Sequence, residues 1–143
     1  SQSSEGPYAS IIPKITEKMI RGEKPIIYGD GLQTRDFIHV SDVTLSILNI
    51  LSLDWKETIS PVYNVATQHQ TSLLDLVKII NISCLEIGLI KESLEPIFET
   101  ARKGDIRHSV ASIERITKEI GWSPLIDIKQ GIHQLIEEKW VVE

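Results

Sequence analysis

Apolar residues near the start of the chain recur at helical spacing. Ile11, Ile12, Ile15 and Met19 repeat every three to four positions, the period that puts side chains on one helix face. Pro13 suits the first turn, where its missing N–H costs nothing, and Gly22 stops the helix. Ile26 to Tyr28 is a short apolar run that predicts a strand, and Gly29-Asp30-Gly31 predicts a tight turn with positive φ. Phe37 to Val40 predicts a second short extended run. Ser41 then caps a helix reaching about Leu51, with Asp42 favoured in its first turn by the helix dipole.

That helix carries Val43, Leu45, Ile47, Leu48, Ile50 and Leu51. It is apolar on more than one side, so it should be nearly surrounded by protein, and a partner layer outside this chain is expected. Val62 to Ala66, opened by Pro61, predicts a buried strand. Thr71 or Ser72 caps a helix to about Ile87, ended by Gly88. Pro96 to Glu99 predicts a strand, and Arg102 to Asp105 a charged loop. Ser112 caps a short helix through Ile113, Ile116 and Ile120, ended by Gly121. Asp127, with Gln130 three residues on, predicts a capping box for a last helix from Ile128 to Trp140. About five helices alternate with short strands, so the fold class is α/β in its mixed α+β form. No repeat, low-complexity tract or heptad run interrupts the pattern.

Composition changes this picture little. The chain has 143 residues, enough for one domain with a core, with 41% hydrophobic and 24% charged residues, as in ordinary globular proteins. A net charge of −5 argues against a nucleic-acid partner, which asks for a basic stripe. The most apolar window, Val43 to Leu53, is broken by Ser46, Asn49 and Ser52 and is too short to span a bilayer. Cys84 stands alone in an apolar helical pattern and reads as a buried thiol in a reduced compartment. The expected location is cytoplasmic.

Several chemistries find no support in the residues. Gly29 and Gly31 follow a strand but open a turn with no helix behind it, so they cannot cradle a dinucleotide pyrophosphate at a helix N-terminus. Tyr8, Tyr28 and Tyr63 are followed four residues later by Ile12, Leu32 and Thr67, so no Tyr-x-x-x-Lys pair exists. His39, His69, His108 and His133 lack metal-ligand spacing. No catalytic residue, metal ligand or cofactor-binding residue is expected in this chain.

Two cationic loops remain, Gln33-Thr34-Arg35-Asp36 and Arg102-Lys103-Gly104-Asp105-Ile106-Arg107. An arginine fork offers paired N–H donors to the paired oxygens of a diphosphate. On residue type alone, a surface salt bridge of Arg35 with Asp36 or Asp30 is the plainer reading.

Beyond single residues, a series of short segments runs in order from Gly6-Pro7 to Trp122. It comprises Ile12-Pro13-Lys14, Tyr28-Gly29-Asp30-Gly31, Thr34-Arg35-Asp36-Phe37-Ile38-His39-Val40, Tyr63-Asn64-Val65, Gly104-Asp105-Ile106-Arg107-His108-Ser109 and Glu119-Ile120-Gly121-Trp122. Together they resemble the substrate-binding half of the extended short-chain dehydrogenase/reductase family, the NAD-dependent nucleotide-sugar epimerases and dehydratases. The run from Gly104 to Ser109 is similar to the 4-epimerases of UDP-glucose, including those that accept N-acetylated sugars.

The resemblance implies roles residue by residue. Arg35 and Arg102 would hold the diphosphate from two sides, and Asp105 would accept hydrogen bonds from the ribose hydroxyls. Ile26, Ile27 and Tyr28 would offer backbone groups and an aromatic face to the uracil. Ser109 would sit beside the sugar and leave room for an N-acetyl group. Each has an ordinary alternative: a strand aromatic for Tyr28, a turn former after Gly104 for Asp105, a plain strand residue for Ser109. The family usually has glycine where Ala66 and Gln68 stand, and aspartate at Ser112.

The whole of 1–143 is therefore expected to be one substrate-binding domain. Its segment around 37–66 would pack against, or complete, a Rossmann-type sheet supplied by an N-terminal NAD-binding domain. The implied function is the UDP-hexose-binding part of an NAD-dependent 4-epimerase, inactive and self-associating alone, with NAD bound by the other domain. Two alternatives stay open: a non-catalytic nucleotide-sugar-binding or scaffold module, and the same part of a dehydratase or reductase.

Overall fold

The computed structural model describes residues 10–53 and 62–141. Among them five helices and four short strands follow one another: α1 (Ile11–Ile20), β1 (Ile26–Tyr28), β2 (Thr34–Arg35), α2 (Val40–Leu51), β3 (Thr71–Ser72), α3 (Leu73–Ile87), β4 (Ile97–Glu99), α4 (Glu114–Ile120) and α5 (Ile128–Trp140). The mixed α/β class and the five helices agree with the sequence pattern.

Helix α3 is the centre of the molecule, packed between α1 and α5. Its buried stripe, Leu73, Leu76, Val77, Ile80 and Cys84, meets Ile12, Ile15 and Met19 of α1 and Ile132 and Ile136 of α5. Each such side chain contributes roughly 1.5–3 kcal/mol on leaving water. The ends of α3 are fixed by its own sequence. Ser72 Oγ accepts the Asp75 backbone N–H at 3.0 Å, and Gly88 closes the helix in the left-handed conformation, φ 81°. Asp127 likewise caps α5 by accepting the Gln130 N–H at 2.9 Å.

Two small sheets flank this core. β1 and β4 pair in parallel, Ile26 with Ile97 and Tyr28 with Glu99. β2 and β3 pair antiparallel, Thr34 with Ser72 and Arg35 with Thr71. The turn between β1 and β2 holds the start of α3, because the Gly31 and Gln33 carbonyls accept the Leu74 and Leu73 N–H groups. Gly31 has φ 74°, and a Cβ there would lie 2.8 Å from Leu74 Cγ. Both the dihedral and the close approach demand glycine.

Four expectations need correction. Phe37 to His39 form no strand, and Val40 already belongs to α2. The extended pairing falls earlier, on Thr34–Arg35, where β3 offers a partner. Helix α2 is capped by His39, whose Nδ1 accepts the Ser41 N–H at 3.2 Å, rather than by Ser41. Val62 to Ala66 are irregular, with Val62 exposed and Ala66 buried; a strand needs a partner, and none is present for this run among the described residues. Pro61 lies outside the described residues. Helix α4 starts at Glu114 with Ile113 at the cap position, while Ser112 Oγ accepts the Glu114 N–H at 3.3 Å from just outside.

Helix α2 also contradicts the usual burial rule. Its buried residues are Asp42 and Ser46, while Val40, Ile47, Leu48 and Leu51 are 71%, 52%, 57% and 72% exposed. The Asp42 carboxylate explains the orientation. It accepts the backbone N–H groups of Leu125 and Ile126 at 3.0 and 3.1 Å. The Asp42 carbonyl accepts the buried Trp122 indole N–H at 3.2 Å. A buried carboxylate is tolerated when its oxygens are hydrogen-bonded, and this one staples α2 to the segment linking α4 and α5.

Candidate functional site

The cleft of interest lies where the C-terminal end of β1, the β1–β2 turn and the loop after β4 converge. It encloses about 390 Å³, a size suited to a small organic ligand. Ile26, Tyr28, Arg35, Arg102 and Asp105 all line it, joined by Gln33 and Phe37. Five of the seven residues singled out in the sequence thus converge from stretches about 70 positions apart.

The other two do not. Ile27 is buried in the core, because side chains alternate along a strand and its neighbours Ile26 and Tyr28 take the cleft side. Ser109 is absent from the lining and is exposed, with its backbone N–H donated to the Thr34 carbonyl at 3.2 Å.

Arginine chemistry dominates the cleft. Arg35 sends Nη2 to Asp105 Oδ1 at 2.6 Å. Its Nη1 donates to the carbonyls of Thr34 at 2.8 Å and Ile106 at 2.6 Å. The ion pair of Arg35 is therefore with Asp105, not with Asp30 or Asp36. Arg102 lies over the Tyr28 ring, 3.9 Å from its centroid, a cation–π arrangement that fixes the guanidinium at the cleft wall.

Neighbouring contacts hold the loop in place. Arg107 grips Asp30 with both fork nitrogens, at 2.6 and 2.9 Å. That guanidinium, with the Leu32 N–H second, lowers the Asp30 carboxyl to about 2. Both partners are solvent-exposed, so the pair positions the loop more than it stabilises the fold. Asp36 accepts from the Thr67 N–H and hydroxyl and the Gln68 N–H. These bonds hold Gln68 at φ 61°, a left-handed conformation that costs a non-glycine residue about 1–2 kcal/mol.

Gln33 is the residue that sequence reasoning missed. It is buried, and its Nε2 donates to the Tyr28 carbonyl at 2.8 Å and reaches Asp105 Oδ2 at 3.4 Å. Its Oε1 is buried without a partner in the chain, which leaves an acceptor for a ligand's donor. The available signal was period two: Gln33 and Arg35 share a side of the β2 segment.

Other chemistry is not assembled among the described residues. No group of three or more His, Cys, Asp or Glu side chains can hold a metal ion, and no helix is long and apolar enough to cross a membrane. Cys84 is buried, and that burial pushes its thiol up to about 11, far from the thiolate that reactivity requires.

Residues 2–135 match the family model described as GDP-mannose 4,6 dehydratase. A protein of Methanocaldococcus jannaschii, provisionally named a UDP-glucose 4-epimerase, is 36% identical over 128 residues, covering 90% of this chain and 38% of its own length. The crystal structure of a UDP-glucose 4-epimerase from Thermotoga maritima with UDP-glucose superposes with a TM-score of 0.79 at 29% identity, covering 95% of this chain and 40% of that one. MoeE5 in complex with UDP-glucose and NAD gives a TM-score of 0.74 at 28% identity, covering 96% of this chain and 43% of the other. This chain thus spans about two fifths of the length of the proteins it matches.

Proposed function

The chain belongs to the GDP-mannose 4,6 dehydratase family, and on that premise we propose that it forms the sugar-nucleotide-binding part of an NAD-dependent 4-epimerase acting on a UDP-hexose. The observation that carries this reading is the convergence of Ile26, Tyr28, Arg35, Arg102 and Asp105 on one cleft. Relatives that bind UDP-glucose share the fold at 28–29% identity.

In this reading the nucleobase lies along Ile26 and Tyr28. The two guanidiniums take the diphosphate from opposite sides, and Asp105 takes pentose hydroxyls. Such contacts remote from the reacting carbon hold the sugar in register, and that is how binding energy serves a chemical step elsewhere. The Gly29–Gly31 turn does not fit the NAD pyrophosphate. Gly29 and Gly31 lead into β2 rather than into a helix N-terminus, so the pyrophosphate has no amide cradle here. In this reading NAD and the hydride chemistry it supplies belong to a separate NAD-binding domain of the intact protein. The exposed apolar face of α2 and the unpaired run from Val62 then pack against that domain. Without it, the same face drives self-association of the chain.

The dehydratase name of the family model favours a second reading, in which the intact protein forms a 4-keto-6-deoxy sugar. Product analysis by NMR separates the two: an epimer at C4 supports the first reading, and a new methyl signal at C6 supports the second.

Calorimetry of UDP binding to the full-length gene product tests the cleft. Arg102→Ala should weaken UDP roughly ten- to a hundredfold, the worth of a charge-assisted hydrogen bond. Arg102→Lys should recover only part, since an ammonium lacks the bidentate fork. Unchanged affinity in Arg102→Ala would remove the diphosphate assignment.

A further inference from the structure

Two groups that the proposed function assigns to different parts of the ligand are engaged with each other. The Arg35 fork is used three times over, on the Asp105 carboxylate and on the Thr34 and Ile106 carbonyls. We propose that Asp105 is a specificity-determining residue: its carboxylate withholds the Arg35 guanidinium from simple phosphate anions and releases it to a ligand that brings pentose hydroxyls together with a diphosphate. The inference rests on the nucleotide-sugar reading of the cleft and adds to it a means of discrimination.

The argument is one of exchange. A bare pyrophosphate that takes Arg35 strips Asp105 of its partner and sets two like charges side by side, which disfavours the bound state. A nucleoside diphosphate takes Arg35 with its phosphates and returns hydroxyl donors to Asp105. The carboxylate then ends with its hydrogen bonds replaced, and the exchange costs little. Specificity of this kind comes from penalising the wrong ligand as well as rewarding the right one.

The surroundings keep Asp105 in place while Arg35 changes partner. Gln33 Nε2 stays within 3.4 Å of the second carboxylate oxygen. The Asp105 N–H donates to the Arg102 carbonyl at 3.3 Å. Two residues on, Arg107 pins the loop to Asp30 with both arms. The loop is closed on itself and tied to Gln33 and Asp30, so departure of one guanidinium leaves the carboxylate facing the cleft.

The test compares UDP with inorganic pyrophosphate on the full-length gene product, by calorimetry at fixed ionic strength. Asp105→Asn should bind pyrophosphate about tenfold tighter and UDP about tenfold weaker. Asp105→Ser should move both ligands in the same directions, and thermal melting checks that each variant is folded. Glu99→Gln removes the same charge from the end of β4 and should change pyrophosphate binding less than about twofold. Pyrophosphate affinity unchanged or lower in Asp105→Asn, or a gain matched by Glu99→Gln, overturns the proposal. Wild-type protein that binds no UDP overturns the nucleotide-sugar reading and this inference with it. Wild-type protein that binds UDP, with both ligands shifting the same way in Asp105→Asn, overturns this inference alone.

Discussion

Helices α2 and α3 are both rich in isoleucine and leucine, yet they meet the rest of the chain through opposite sides. α3 buries Leu76, Ile80 and Cys84 between α1 and α5. α2 buries Asp42 and Ser46 and turns Ile47, Leu48 and Leu51 outward. The difference shows that apolar content does not choose the inward face by itself. In α3 the core selects the stripe. In α2 the Asp42 carboxylate, taken up by the Leu125 and Ile126 N–H groups, selects the side. One helix is placed by exclusion of water and the other by direction-dependent bonds.

The contrast can be broken most strongly at Ile80. Ile80→Ala should cost about 2–5 kcal/mol, since the close-packed site cannot collapse around the lost atoms. A urea titration of the chain should show the midpoint falling with little change in slope. A loss under about 1 kcal/mol would mean that α3 is not the centre of the core.

Asp42→Ala should come next, at about 1–3 kcal/mol, because it removes a buried acceptor from the half-buried bonds to the Leu125 and Ile126 N–H groups. Asp42→Asn should recover part of this, since its amide oxygen can still accept from Leu125 or Ile126. Thermal melts of the two variants check that order. Equal stability of the Ala variant and wild type would show that something other than this carboxylate orients α2.

Leu48→Ser sharpens the comparison with the smallest effect. In this chain alone it should change stability by no more than about 0.5 kcal/mol and should reduce both dye binding and self-association in sedimentation. In the full-length protein the same change should cost more than about 2 kcal/mol if the face is covered there. Equal costs in both settings would remove the proposed docking of α2.

What was legible in the sequence follows the same division. α1, α3 and α5 could be placed closely because their signals are local: a 3.6-residue stripe, Ser72 and Asp127 as caps, and Gly88 as a stop. β1 and β4 were legible as short apolar runs. The run at Val62–Ala66 was misread because a strand is defined by its partner, and apolar composition cannot say whether one is at hand. His39 was overlooked as a cap because imidazole is seldom the side chain in that role. In the cleft, Arg35, Arg102 and Asp105 were legible from residue type and resemblance. Their pairing was not, since it depends on two loops about 70 residues apart meeting in space. Strand alternation sets the Ile27 side chain on the opposite side from Ile26 and Tyr28, so only its backbone can face the cleft. Gln33 needed its neighbours before its amide gained meaning.

The parallel pairing of β1 with β4 has a consequence for how the molecule assembles. Ile26 and Ile97 meet across the whole span that holds α2 and α3, and the Arg35–Asp105 and Asp30–Arg107 pairs close loops of 70 and 77 residues. Bringing such distant points together from a free chain costs roughly 4 kcal/mol of loop entropy. Surface ion pairs and a three-residue ladder cannot offset that unaided. The cleft should therefore form late, after α3 has docked on α1 and shortened the path between its two walls. A ligand that binds there is reading the completion of the helical core, and its affinity should fall in any variant that loosens that docking enough to depopulate the formed cleft, however far the substitution lies from the cleft.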